Sequence, residues 1–120
     1  MRRSEILNLE WENINWEKQH ALLPITKNGR LRWVPLSELA VEHIEQAPRT
    51  VDRVFPITDG AFQQAWDRLR NRAGVNGLTF HDLRHEAISR KFESGMNIPQ
   101  VMAISGHQSA GQLFRYVQLT

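Results

Sequence analysis

His81, Arg84 and His85 stand at i, i+3 and i+4, a spacing that projects three side chains from one face of a helix. That face gathers a guanidinium, which stays protonated, and two imidazoles, a side-chain type whose charge changes near neutrality. Such a set can hold an anion and move a proton. It can equally be a solvated polar face, the commoner fate of charged surface residues. Further along, "SGHQSAGQLFRY" places His107 after a glycine at a helix start, and Tyr116, the only tyrosine in the chain, nine residues beyond it. A lone tyrosine is usually a half-buried amphipathic residue, so neither group decides the chemistry by itself.

Periodicity and capping indicate the elements that must position these groups. The opening "RRSEILNLEW" puts Ile6, Leu7 and Leu9 in a helix-forming context without a clear cap. Strand-like runs in "INWEKQHALLPITKNGRLRWVPL" break at Lys27-Asn28-Gly29. Asn-Gly suits a tight hairpin turn, which places Lys27 on a β-hairpin. Ser37 is predicted to cap a helix through about Gln46, with Leu39, Val41 and Ile44 apolar, and "RTVDRVFPI" to run extended.

A longer helix is predicted from Asp59 as N-cap to Gly74, with Phe62, Ala65, Trp66, Leu69 and Ala73 forming a core stripe. In "FHDLRHEAISRKFESG", Leu83, Ala87, Ile88 and Phe92 recur at helical spacing, and Gly95 ends the run. Asn97 and Pro99 open a short helix through "QVMAI", and Ser109 is predicted to cap a final helix reaching Tyr116. The expected fold class is α+β, mainly α-helical, with a small antiparallel β-hairpin or sheet near the N-terminus.

At 120 residues, with 41% apolar and 23% charged residues, the chain suits one compact domain. No apolar run approaches the roughly 18 residues of a membrane span, and the start lacks a secretory signal, so the cytoplasm is the default compartment. With no cysteine, disulfides, thiolate catalysis and sulfur-ligated zinc are excluded. A net charge of +2 singles out no partner, but its distribution is uneven. Glu5, Glu10, Glu12 and Glu17 crowd the first segment, whereas Lys27, Arg30, Arg32, Arg68, Arg70, Arg72, Arg84, Arg90 and Lys91 follow in basic groups.

The ordered strings "RRSE", "TKNGRLRWVPL", "HDLRH" and "GHQSAGQLFRY" resemble the motif set of the tyrosine recombinases of phage-integrase type, from Arg2 to Tyr116. Arg-x-x-Glu alone is a weak signal and His-x-Leu-Arg-His a moderate one; order and spacing together are strong. The resemblance implies a recombinase catalytic-domain fold and a set of catalytic residues: Arg2, Lys27, His81, Arg84, His107 and the nucleophile Tyr116. Glu5 and His85 would support them; by their charge, Arg3, as a solvated or DNA-facing residue, and Arg30 and Arg32 are expected to face DNA.

The implied reaction is site-specific recombination for phage or prophage integration and excision. Attack on a phosphodiester adds charge to the nonbridging oxygens, which Arg2 and Arg84 would bind through fixed donors. His107 would add a hydrogen bond, His81 would help move the tyrosyl proton, and Lys27 would protonate the leaving 5′-oxygen. A 3′-phosphotyrosyl link keeps the energy of the bond, so no metal, ATP or other cofactor is implied. Two rivals stand beside this reading. One is a helical module that only contacts DNA phosphates; the other is a metal hydrolase using His81 and His85, with His81-Asp82 imitating an HD-type signature.

The resemblance further implies a partial catalytic domain over 1–120, without the core-binding domain or the first catalytic-domain helix. The full-length protein would act as a homotetramer on double-stranded DNA at att-like sites, in the bacterial cytoplasm and on the nucleoid. The 120 residues alone are expected to be monomeric or weakly dimeric, to bind DNA weakly and to recombine nothing.

Overall fold

The computed structural model describes residues 1–24, 31–107 and 110–116, with the side chains of Arg115 and Tyr116 left aside. Its elements are α1 (Arg3–Leu7), a 3-10 turn (Trp11–Asn13), β1 (Ile14–Asn15), β2 (His20–Leu23), β3 (Arg32–Pro35), α2 (Glu38–Gln46), α3 (Asp59–Ala73), α4 (Phe80–Glu93), α5 (Ile98–Ser105) and a closing 3-10 helix (Ala110–Tyr116). The chain is therefore α+β, helices predominating. Among the described residues no helix is long and apolar enough to cross a membrane.

The three strands form an antiparallel sheet in the order β1-β2-β3. Alternate residues of a strand face opposite sides, and here Ile14, Ala21, Leu23 and Val34 turn inward. They join Leu9, Ile44 and Val54 in one core, against which Met1, Trp11 and Ile104 pack. The segment before α3, expected to run extended, instead bends at residues 50–52 and 54–55 and is tied down by an isolated bridge from Arg53 to Glu10. A second core, of Ile88, Val101 and Leu113, ties α4, α5 and the closing 3-10 helix together.

The capping residues follow the sequence closely. Ser37 Oγ accepts from the Ala40 N–H at 3.1 Å, and Asn97 and Gln100 cap α5 reciprocally at 2.9 Å each. Gly74 closes α3 at φ 74°, a left-handed conformation that glycine adopts without steric cost. Ser109 lies outside the described residues, and the segment it was expected to open is a 3-10 rather than an α-helix.

Two expectations for α3 are corrected. Its N-cap is Thr58, whose Oγ1 accepts from the Ala61 N–H at 3.1 Å, and Asp59 sits inside the first turn. Nor is its apolar stripe core. No residue of α3 is buried, and Leu69 is 53% exposed. The helix meets α4 at one point, where Phe62 and Trp66 both pack edge-on to Phe80, at centroid distances of 4.8 and 5.6 Å. Ala65, Leu69 and Ala73 have no such counterpart and stay at the surface.

Candidate active site

Arg2, His81, Arg84 and His107 line one cleft of about 380 Å³, whose wall His85, Gly111 and Gln112 complete. Sequence separation between them reaches 105 residues, so the fold, not a local motif, brings them together.

Arg2 stands just before α1. Its backbone N–H donates to Glu5 Oε1 at 2.6 Å, which caps the helix and fixes where the Arg2 side chain leaves the backbone. Its Nη1 is buried and has no hydrogen-bond partner among the described residues. A buried donor without a partner costs about 1–3 kcal/mol.

α4 supplies His81, Arg84 and His85. Its start is a reciprocal capping box: Asp82 Oδ2 accepts from the Thr79 N–H at 2.8 Å, and Thr79 Oγ1 accepts from the Asp82 N–H at 3.2 Å. The bonds from the Thr79 backbone and hydroxyl hold the Asp82 carboxyl below its ordinary value of 3.8. This carboxylate is committed to the helix start, so His81-Asp82 does not form a ligand pair of HD type. The His81 and His85 rings meet edge to face, centroids 4.6 Å apart at 90°. Among the described residues no group of three His, Asp or Glu side chains forms a metal-sized cluster.

Arg84 is 8% exposed, and its Nη2 donates to the Ser105 carbonyl at 2.6 Å. Ser105, which no motif in the sequence singles out, joins Arg84 to His107. Its Oγ lies 2.6 Å from His107 Nδ1 and accepts, at 3.4 Å, from the His107 backbone N–H. When the hydroxyl donates to Nδ1, the ring proton sits on Nε2, the nitrogen able to donate to a phosphate oxygen. The only signal was its place, directly before Gly106-His107.

Two residues expected to face DNA are held elsewhere. Arg32 is 8% exposed and makes an ion pair with Glu5, with bonds of 2.6 and 2.8 Å to the two carboxylate oxygens. In a strand whose Val34 faces the core, Arg32 must share that side. Arg3 turns onto α3, its Nε 2.9 Å from Asp59 Oδ1 and its Nη1 2.5 Å from Gln63 Oε1. Lys27 and Arg30 lie outside the described residues; β2 and β3, on either side of them, pair antiparallel. Tyr116 ends the closing 3-10 helix, the same element that lends Gly111 and Gln112 to the cleft wall.

A second cleft, of about 510 Å³, adjoins the first. It shares Arg2, His81 and Arg84 and runs out over Trp66, Phe80 and Leu83 between α3 and α4.

The sequence profile of the phage integrase family matches residues 1–120. The chain belongs to the phage integrase family. Among relatives of this integrase family, the shufflon-specific DNA recombinase of Escherichia coli is 46% identical over 99% of this chain and 32% of its own length. The integrase of Salmonella phage P22 is 25% identical over 99% of this chain and 36% of its own length. The chain thus spans about a third of these relatives.

Solved integrase structures carry the same fold. The catalytic domain of bacteriophage HP1 integrase matches 97% of this chain and 66% of its own at a TM-score of 0.74 and 25% identity. The Tn1549 transposon integrase in complex with circular intermediate DNA matches 100% of this chain and 50% of its own at 0.77 and 20% identity.

Proposed function

We propose that this chain is the catalytic part of a site-specific tyrosine recombinase that breaks and rejoins duplex DNA for phage or prophage integration and excision. The observation that carries the proposal is the cleft that gathers two arginines, Arg2 and Arg84, and three histidines, His81, His85 and His107. The similarity to the E. coli shufflon-specific recombinase and the P22 integrase points the same way.

Arg2 and Arg84 hold the nonbridging oxygens of the scissile phosphate, and His107 donates to the same group. The Tyr116 phenol oxygen bonds to phosphorus as the bond to the 5′-oxygen breaks. A phenol has an ordinary pKa of about 10, so its proton must pass to a base, and His81 takes it. Lys27 protonates the departing 5′-oxygen. A second strand's 5′-hydroxyl reverses the step and releases Tyr116. Of the expected DNA-facing arginines, Arg30 keeps that assignment. The partner is double-stranded DNA carrying att-like sites, engaged by a homotetramer of the full-length protein in the cytoplasm; a core-binding domain outside these 120 residues clamps the duplex.

The test is to incubate the full-length protein with a nicked duplex that traps the cleaved strand, and to look for a covalent protein–DNA adduct. Tyr116→Phe is expected to bind the duplex and form no adduct. Unchanged activity in Tyr116→Phe would instead identify a module that binds DNA without cutting it.

A further inference from the structure

Arg32 joins three elements that carry or adjoin the catalytic groups. Its Nη1 and Nη2 hold Glu5 on α1, and its Nε donates to the Ile104 carbonyl at the end of α5 at 2.9 Å. Both partners of the ion pair are largely shielded, with side-chain exposures of 7% and 10%. Glu5 in turn receives the Arg2 backbone N–H. Ile104 is followed by Ser105, whose carbonyl takes Arg84, and then by Gly106 and His107. Two successive carbonyls at the C-terminal end of α5 are thus held by two arginines, which suits the negative end of the helix dipole.

Gly106 belongs to the same device. It ends α5 at φ 78°, and a Cβ at this position would lie 2.6 Å from Arg32 Nη1 and 2.8 Å from its Cζ. An arginine tip can usually swing aside. This one cannot move without releasing Glu5 or Ile104, so the guanidinium lies flat against the turn only because that turn is glycine.

We infer that Arg32 is a positioning residue, a clamp that sets the distance between Arg2 and His107 across the phosphate cleft. It touches neither DNA nor the reacting atoms. Its planar fork fits three acceptors in two directions, which the single ammonium of lysine cannot. The inference rests on the recombinase reading for its catalytic consequence, but the geometric link stands in the DNA-free protein.

The test therefore has two arms. In the first, without DNA, the Arg2 backbone amide and the His107 imidazole are followed by nuclear magnetic resonance in Arg32→Lys and Gly106→Ala, with thermal unfolding to confirm the folded state. Arg32→Lys is expected to shift both signals. Gly106→Ala adjoins His107, so its informative signal is the Arg2 amide at the far end of the clamp, and that too is expected to move. In the second arm, Arg32→Lys is expected to slow adduct formation on saturating nicked duplex by about 10-fold or more, where a full ångström of misplacement costs on the order of a hundredfold. Its half-saturating duplex concentration is expected to stay within about threefold.

An Arg2 amide that stays put in Gly106→Ala, or a wild-type adduct rate in Arg32→Lys, overturns the clamp. If the wild-type protein makes no adduct, the recombinase reading falls and the resonance arm alone decides the clamp. Should Arg32→Lys unfold, Gly106→Ala leaves both charges in place and is read in both arms.

Discussion

Arg84 and Ser105, 21 residues apart, are joined by a 2.6 Å hydrogen bond from the guanidinium to the backbone carbonyl. The same serine reaches His107 through its hydroxyl. One small buried residue therefore touches two of the groups proposed to hold the scissile phosphate, through different atoms.

Ser105→Ala separates those atoms. The carbonyl stays for Arg84, while His107 loses the partner of its Nδ1. A hydrogen bond of this kind contributes about 1 kcal/mol, so adduct formation at saturating duplex is expected to fall about 5- to 10-fold. Duplex binding and the unfolding midpoint should hardly move. An unchanged rate would mean that the hydroxyl does not orient the ring.

Arg2→Met tests the opposite balance. Its Nη1 is buried without a partner, and an apolar side chain of similar length removes that penalty. Urea unfolding is expected to show stability equal to the wild type or up to about 1 kcal/mol higher, while adducts disappear. A clear destabilisation would show that Arg2 holds the fold rather than serving a ligand.

Glu5 gives the fold an acid limit. Burial raises its carboxyl pKa, but the Arg32 hydrogen bonds, the Arg2 N–H and the Arg32 charge outweigh burial and leave it below its ordinary value of 4.5. A folded-state pKa below the unfolded one stabilises the fold above the unfolded value, and the contribution is lost as pH falls through the folded value. Urea midpoints measured from pH 7 down to pH 3 should therefore drop below about 4.5. Glu5→Gln should start lower at pH 7 and fall less steeply; a parallel curve would rule this carboxylate out.

Two leucines are expected to respond in opposite ways. Leu113 is 0% exposed and Leu69 53%. Leu113→Ala should cost about 2–5 kcal/mol and suppress adducts, because Leu113 anchors the element that ends in Tyr116. Leu69→Gln should stay within about 0.5 kcal/mol. A marked loss from Leu69→Gln would show that the outer stripe of α3 is covered in solution.

Much of this was legible in the sequence because its signals are local. Caps at Ser37 and Asn97, the Gly74 stop and the i, i+3, i+4 spacing of His81, Arg84 and His85 depend on neighbours within one turn. Arg32 shows where the sequence misleads: its charge suggests DNA, whereas the alternation of Arg32-Trp33-Val34-Pro35 places it beside the core. That inward charge is tolerable only because Glu5, 27 residues away, meets it, and no local pattern shows such a pairing. The stripe of α3 misled in the converse way. Helical periodicity shows which residues share a face and says nothing of whether another element arrives to cover it.

The chain packs around two cores, and the cleft draws on residues near both: Arg2 precedes α1, Arg84 lies on α4, and His107 follows α5, which reaches one core through Ile104 and the other through Val101. Foldedness and catalytic alignment are therefore separate quantities in this molecule. A slip of one half against the other by about an ångström leaves every helix intact while costing on the order of a hundredfold in rate. On warming, strand cleavage should fade before circular dichroism reports any loss of structure.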